Sequence, residues 1–251
     1  MFIFASCSNI EELMFGEQNR YERASEMVLL ESSDYLDQLD FVGTKYIQEV
    51  KAARLIGKQA HYLESIYGQL RGKNEIVFDD DKSPTFYIIK DESSYHFSLP
   101  GRIFVFSSGL FKKFITNEEI LIGILTFESI RSLKAIYKRS LIIPSLNMNS
   151  ENFLKLFKID SEEKIKVDQW VYIVLRRAGY DPGAYLKYLQ MRNKINEEGS
   201  LVKRSGYDLV REEFMYKSFM VKQKIKGRGA SVNKENSSKD FYALTTYVER
   251  I

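Results

Sequence analysis

The sequence predicts an α+β protein, mostly helical, with one small β-sheet. Three observations lead there. Apolar residues recur at three- and four-residue steps over most of the chain, the signature of helices that bury one face. Between residues 76 and 106 the period changes to short β-branched and aromatic runs, the signature of strands. The composition, 44% hydrophobic and 14% aromatic, excludes a disordered chain. At 251 residues the chain can bury a sizeable core. The net charge of +3, with acids and bases interspersed, gives no nucleic-acid footprint. No apolar run approaches the roughly 18–20 residues that span a bilayer.

Taken in order, residues Ile10 to Leu39 read as one or two amphipathic helices, with Leu13, Met14, Tyr21, Met27, Val28 and Leu29 on the apolar face. A longer helix is predicted from Lys45 to Leu70, ended by Arg71-Gly72-Lys73-Asn74. Ile76-Val77-Phe78, Thr85 to Ile89 and Ile103 to Phe106 read as strands, punctuated by Asp79-Asp80-Asp81, Ser83-Pro84 and Pro100-Gly101. Thr116-Asn117-Glu118-Glu119 offers a cap and two first-turn acids. The helix it opens, apolar through Ile120, Leu121, Ile124, Leu125, Phe127 and Ile130, is predicted to be central. Helices follow at Ser161 to Ala178, Pro182 to Met191 and Tyr207 to Ile225; Pro182 suits a first helical turn. The organisation read from this is a signal remnant at 1–7, a helical segment at 8–44, the main domain at 45–226, a polar loop at 227–239 and a docking segment at 240–251.

Cys7 is the only cysteine, so no intramolecular disulfide can form. Its setting, Phe4-Ala5-Ser6-Cys7, resembles a loose lipobox, which would make Cys7 the site of lipid attachment and tether the protein to a membrane surface. Phe stands at the usual Leu position, and a charged n-region and full h-region are absent. The alternative is a short apolar N-terminus that tucks a free thiol into the fold.

The order of features from Phe97 onward resembles a known family. A strand reading Phe97-Ser98-Leu99-Pro100-Gly101-Arg102-Ile103-Phe104-Val105 is followed by Ser108-Gly109-Leu110 and then Asn117-Glu118-Glu119-Ile120-Leu121. Farther on come Val167-Asp168 and Arg177-Ala178-Gly179-Tyr180-Asp181-Pro182-Gly183-Ala184. Together these resemble the HtpX/BepA/CAAX-prenyl-protease family of HExxH zinc metallopeptidases. The likeness covers about Lys45 to Asn193 and implies a zincin-like metallopeptidase fold. Tyr247-Val248-Glu249-Arg250-Ile251 resembles the family's end more faintly.

In that family two His at i and i+4 on one helix face ligate Zn²⁺, and the Glu between them activates the bound water. In register, the ligand positions fall on Phe127, Arg131 and Lys164, so all three ligands are lost, while Glu128, at the general-base position, and Asp168 remain. No HExxH exists anywhere, because the only histidines are His61 and His96. Without the metal an attacking water keeps a pKa near 16 instead of about 7. The resemblance therefore implies a degenerate member with no catalytic residues and no cofactor, zinc being expected absent.

Arg131 and Lys164 are expected to pair with Glu128 and Asp168, replacing metal charge by fixed protein charge; the alternative is that both cations reach solvent. Phe97, Phe104, Val105 and Phe106 are candidates for a peptide groove, although alternating strand aromatics are more often core. His61 and His96 are expected to be packing or surface residues. The run Lys222, Lys224, Lys226, Arg228 reads as a solvated helix end, the alternative being contact with anionic lipid headgroups near an anchored Cys7. The expected function is a pseudopeptidase of the bacterial cell envelope, binding an extended peptide or envelope protein and held at the membrane surface by its lipid anchor. The alternatives are an active metallopeptidase with an unorthodox site, a purely structural envelope lipoprotein, or a cytoplasmic location.

Overall fold

The computed structural model describes residues 32–75, 77–78, 82–137, 150–194, 206–225 and 237–251. Cys7, the helices expected before residue 32, Ile76, and residues 227–236 of the polar loop lie outside the described residues. The elements run α1 (Ser32–Glu49), β1 (Ala53–Arg54), α2 (Gly57–Gly72), β2 (Thr85–Ile89), β3 (His96–Leu99), β4 (Ile103–Ser107), α3 (Ser108–Lys113), α4 (Glu118–Leu133), α5 (Ser150–Lys155), α6 (Ser161–Ala178), α7 (Pro182–Lys194), α8 (Gly206–Ile225) and α9 (Lys239–Arg250). Helices dominate and the strands form one four-stranded mixed sheet, as the α+β reading requires.

The strand order is β1-β2-β4-β3, with β2 and β4 parallel and both outer pairs antiparallel. Successive side chains in a strand point to opposite faces, and here each face has its own core. Phe86, Ile88, Phe104 and Phe106 pack into the larger cluster with residues of α2, α4, α6 and α7. Ile89, Phe97, Leu99 and Val105 pack with Tyr35, Leu39 and Tyr46 of α1 and Phe153 of α5. Helix α4 is buried from Glu119 to Ser132; it is apolar all round from Ile120 to Leu125 and beyond that carries Glu128 and Arg131 into the interior. Its first turn is capped by Asn117, whose Oδ1 accepts the Ile120 N–H at 3.0 Å. Gly179 (φ 84) ends α6, with Tyr180 N–H returning to the Leu175 carbonyl at 2.9 Å.

The sequence reading is corrected at three places. The single helix expected from Lys45 to Leu70 is two helices, because Lys51 (φ 51) turns the chain in the left-handed region and Ala53–Arg54 then pairs with β2. Ile76 to Phe78 forms no strand across Val77 and Phe78. Both N–H groups donate to the Asn74 carbonyl, and Phe78 meets Tyr67 edge-on at 5.5 Å, so these side chains plug the core. The stretch Phe97 to Val105 is a hairpin rather than one strand, turned at Pro100-Gly101-Arg102 with Arg102 at φ 63.

The C-terminal helix α9 buries Phe241, Leu244 and Val248 against α2 and α3. Its start is tied to the start of α4. Glu118 accepts the Ser238 N–H and hydroxyl, each at 2.8 Å, while Ser237 Oγ accepts the Glu118 N–H at 3.0 Å. Among the described residues no helix is long and apolar enough to cross a membrane.

Two glycines separate packing from propensity. A Cβ on Gly109 would lie 2.3 Å from the Glu92 carbonyl oxygen, whereas one on Gly68, inside α2, meets nothing within 4 Å. Gly109→Ala should therefore destabilise by roughly 2–4 kcal/mol through a backbone clash. Gly68→Ala should be neutral or stabilise by up to about 1 kcal/mol. Urea melts of the two variants check the pair.

Candidate functional site

The site grows from Glu128, which α4 carries into the interior at 0% exposure. Strand alternation turns His96 and Ser98 of β3 toward α4, and both reach this carboxylate. Ser98 Oγ donates to Oε2 at 2.7 Å, and His96 Nδ1 lies 2.6 Å from Oε1. The other imidazole nitrogen, Nε2, lies 2.8 Å from the Tyr188 hydroxyl on α7. Arg131, one turn along α4, approaches Glu128 Oε1 at 3.5 Å. Its Nη2 also donates to the Phe157 carbonyl, and its guanidinium sits over the Tyr137 and Phe157 rings at 5.1 and 5.6 Å.

A second charged group lies across Phe127. Lys164 Nζ is 3.3 Å from Asp168 Oδ1 one turn along α6, and it also pairs with Glu212 of α8. Arg192 of α7 reaches both Glu212 oxygens, at 3.4 and 3.3 Å. Tyr185 donates its hydroxyl to Asp168 at 2.7 Å. The two groups are joined by rings. Lys164 Nζ stands 4.4 Å from the Phe127 centroid, Phe127 stacks on Tyr185, and Arg192 lies over Tyr188, whose hydroxyl meets His96. Three carboxylates (Glu128, Asp168, Glu212) face three cations (Arg131, Lys164, Arg192), so the formal charges balance across four helices, α4, α6, α7 and α8.

Burial and charge pull the site's proton affinities apart. At Glu128 burial favours the neutral acid, but Arg131, His96 and Ser98 outweigh it and hold the carboxyl at about 2. At Asp168 burial wins over Lys164 and pushes the carboxyl up to about 6, with Glu212 adding repulsion. Asp168 Oδ2 is buried without a hydrogen bond among the described residues. Burial holds His96 below 6.5, against the pull of Glu128. Hydroxyl, imidazole and carboxylate stand in a chain from Tyr188 through His96 to Glu128, an order that can pass a proton. Its ends are buried, Glu128 at 0% and Tyr188 at 3% exposure, and the His96 side chain between them is 12% exposed.

The three metal-ligand positions of the zinc-peptidase pattern are only partly brought together. Phe127 and Lys164 touch, while Arg131 turns away toward Glu128 and Phe157. These residues do not fit zinc: a phenyl ring has no donor atom, and both cations are engaged with carboxylates and repel a metal. Among the described residues no three His, Cys, Asp or Glu side chains converge as a metal-binding group. The proposed pairs Glu128–Arg131 and Lys164–Asp168 both lie in the interior, so the solvent-reaching alternative is excluded for these two cations.

The groove candidates are core residues instead. Phe97, Phe104, Val105 and Phe106 are each 0% exposed, and β4 is paired on both sides. β3 is the outer strand of the sheet, but Phe97, Ser98 and Leu99 are each 0% exposed, so its outer side is covered. Ser107 N–H donates to Tyr95 O at 3.1 Å, so antiparallel alternation turns the backbone of His96 and Ser98 outward, away from β4. The Tyr137 hydroxyl caps the outward Ser98 carbonyl at 3.1 Å. His61 is a surface residue, its side chain 85% exposed. His96 is more than packing, and Ser98, Tyr185, Tyr188, Arg192 and Glu212 complete the site. Alternation in β3 could have flagged His96 and Ser98 as facing the same helix as Glu128; Glu212 and Arg192 have no local signal.

Set against known proteins, the chain matches no family model and no curated protein.

Breaking the buried pair strands a charge, so Arg131→Ala should cost roughly 3–5 kcal/mol. Glu128→Met combined with Arg131→Met should cost roughly 1–3 kcal/mol less than the sum of the two single changes. Denaturant melts of the cycle read this; additive, sub-kilocalorie costs would make Arg131 an ordinary surface residue. The pH dependence has a defined sign. Because Glu128 sits at about 2 in the fold against an ordinary 4.5, its contribution is complete above 4.5 and is lost as pH falls from 4.5 through 2. That contribution is about 3 kcal/mol. Glu128→Gln should flatten this acid limb in urea midpoints measured against pH, while His96 and Asp168 act in opposite senses at higher pH.

Proposed function

We propose that this chain is a non-catalytic pseudopeptidase: a peptide- or protein-binding, or assembly, module with the layout of a zincin-like metallopeptidase and none of its chemistry. The observation that carries the reading is the pairing of Arg131 with Glu128 and of Lys164 with Asp168 and Glu212. Protein cations, Arg131 and Lys164, occupy two of the three ligand positions of the pattern and neutralise the carboxylates that would otherwise face a metal. No Lewis acid polarises a carbonyl at such a site, and no bound water is activated. Its role is to fix β3 against α4 and α7.

Recognition then belongs to the backbone of β3. An extended partner segment pairs with this strand through main-chain hydrogen bonds that need no zinc, and because Phe97, Ser98 and Leu99 are 0% exposed it does so by displacing what covers them. Such a segment replaces the Tyr137 hydroxyl on the Ser98 carbonyl, so Tyr137 acts as a stop on the edge. The phrase Phe4-Ala5-Ser6-Cys7 supports placing the module at the bacterial cell envelope, anchored through an acylated Cys7.

The test is binding of a library of extended peptides, read by fluorescence anisotropy with parallel mass spectrometry. The expected result is binding without cleavage, unchanged by chelator. Tyr137→Phe, which removes the competing hydroxyl, should tighten binding by roughly threefold to tenfold, the worth of one hydrogen bond. Peptide cleavage that a chelator abolishes would overturn the reading.

A further inference from the structure

The charges of α8 are sorted by side. Its acids face the protein: Asp208 accepts from Ser161 Oγ at 3.0 Å, Glu212 holds Lys164 and Arg192, and Glu213 accepts from Asn193. Arg211 is turned to Glu162 of α6. Among the side chains of α8 that are described, from Asp208 to Gln223, the exposed ones are Val210, Phe214, Lys217, Val221 and Lys222, with no acid among them. Val210, Phe214, Lys217 and Val221 follow one another at steps of four, three and four, so they form a single line along the helix. Val210, Phe214 and Val221 are 61%, 63% and 49% exposed, values at which isolated apolar residues are unremarkable but a collinear set with two lysines is a patterned face.

We infer that the outer face of α8 is a docking surface for an anionic membrane, with Phe214 and its two valines entering the headgroup boundary and Lys217 and Lys222 meeting lipid phosphates. The charge pattern selects this occupant. A net-cationic strip with its acids withdrawn attracts an anionic surface. Its cations are lysines, which lie along an apolar boundary with the ammonium in the headgroup layer, whereas protein interfaces are depleted in Lys and enriched in Arg. The one arginine of the helix, Arg211, is paired at the surface with Glu162 of α6. The face is a strip of one helix, so it lies on a bilayer and does not span it. The contact is independent of Cys7 and of the β3 edge, and it would hold the body of the protein in one orientation on the membrane.

The experiment is co-sedimentation of the full chain with vesicles of phosphatidylcholine alone or mixed with phosphatidylglycerol. Binding to the anionic vesicles only, weakening with added salt, is expected. Phe214→Ser with Lys217→Glu and Lys222→Glu should weaken that binding by about tenfold or more, with an unchanged melting temperature. Lys217→Arg with Lys222→Arg should retain it. The β3 variants should leave it unaltered, so failure here and failure of the peptide-binding reading are told apart. No binding to anionic vesicles, equal binding to neutral ones, or full binding by the triple variant would overturn the inference. Either of the first two outcomes would leave the face to a protein partner.

Discussion

Everything around the centre of this fold depends on keeping one fully buried carboxylate ionised. Glu128 lies where no water can solvate it, and an uncompensated charge there would cost several kcal/mol. Four groups meet that demand: the Ser98 hydroxyl, the His96 imidazole and the Arg131 guanidinium directly, and Tyr188 by orienting His96. Each comes from a fixed place in the fold, so satisfying Glu128 sets the distance of β3 from α4 and of α7 from both. Asp168 shows the opposite balance. Burial outweighs its cation and raises its carboxyl to about 6, and one of its oxygens makes no hydrogen bond among the described residues. The two carboxylates are thus differently supported, and the more tightly held of them organises the site.

A metal and an arginine solve the same electrostatic problem in different ways. A metal ion neutralises several donors at once and leaves a position open for water or substrate. A guanidinium neutralises one carboxylate, uses its other N–H groups on a carbonyl, and packs its flat face on aromatic rings. Arg131 meets Glu128 through Nη1, the Phe157 carbonyl through Nη2 and the Tyr137 ring with its flat face, while its Nε makes no hydrogen bond among the described residues. A centre built this way is filled and rigid. Its charged side chains are spent on one another and on the elements they join.

Much of this was legible in the sequence because local rules governed it. The helix starts at Asn117 and Pro182, the stop at Gly179 and the all-apolar run of α4 follow from capping chemistry and periodicity, and the structure agrees with them. The pairs 128–131 and 164–168 could be proposed because their partners are one helical turn apart. The misreadings arose where tertiary demands override local pattern. Lys51 adopts a left-handed backbone to start a strand pairing that apolar spacing cannot announce, and Val77 and Phe78 are apolar because they fill the core. The aromatics of β3 and β4 looked like groove walls but form two cores, one on each side of the sheet. Glu212 and Arg192 join the site only because α7 and α8 fold back over α6, and nothing in their neighbourhoods signals it.

The central claim is that fixed protein charge stands where a metal would. It is tested most directly by elemental analysis of the native chain purified from zinc-supplemented cells. The account predicts zinc far below one per chain, with a melting temperature that a chelator leaves unchanged. About one tightly held zinc per chain, whose removal lowers the melting temperature, would contradict it, because bound metal that folds with the chain is part of its stability.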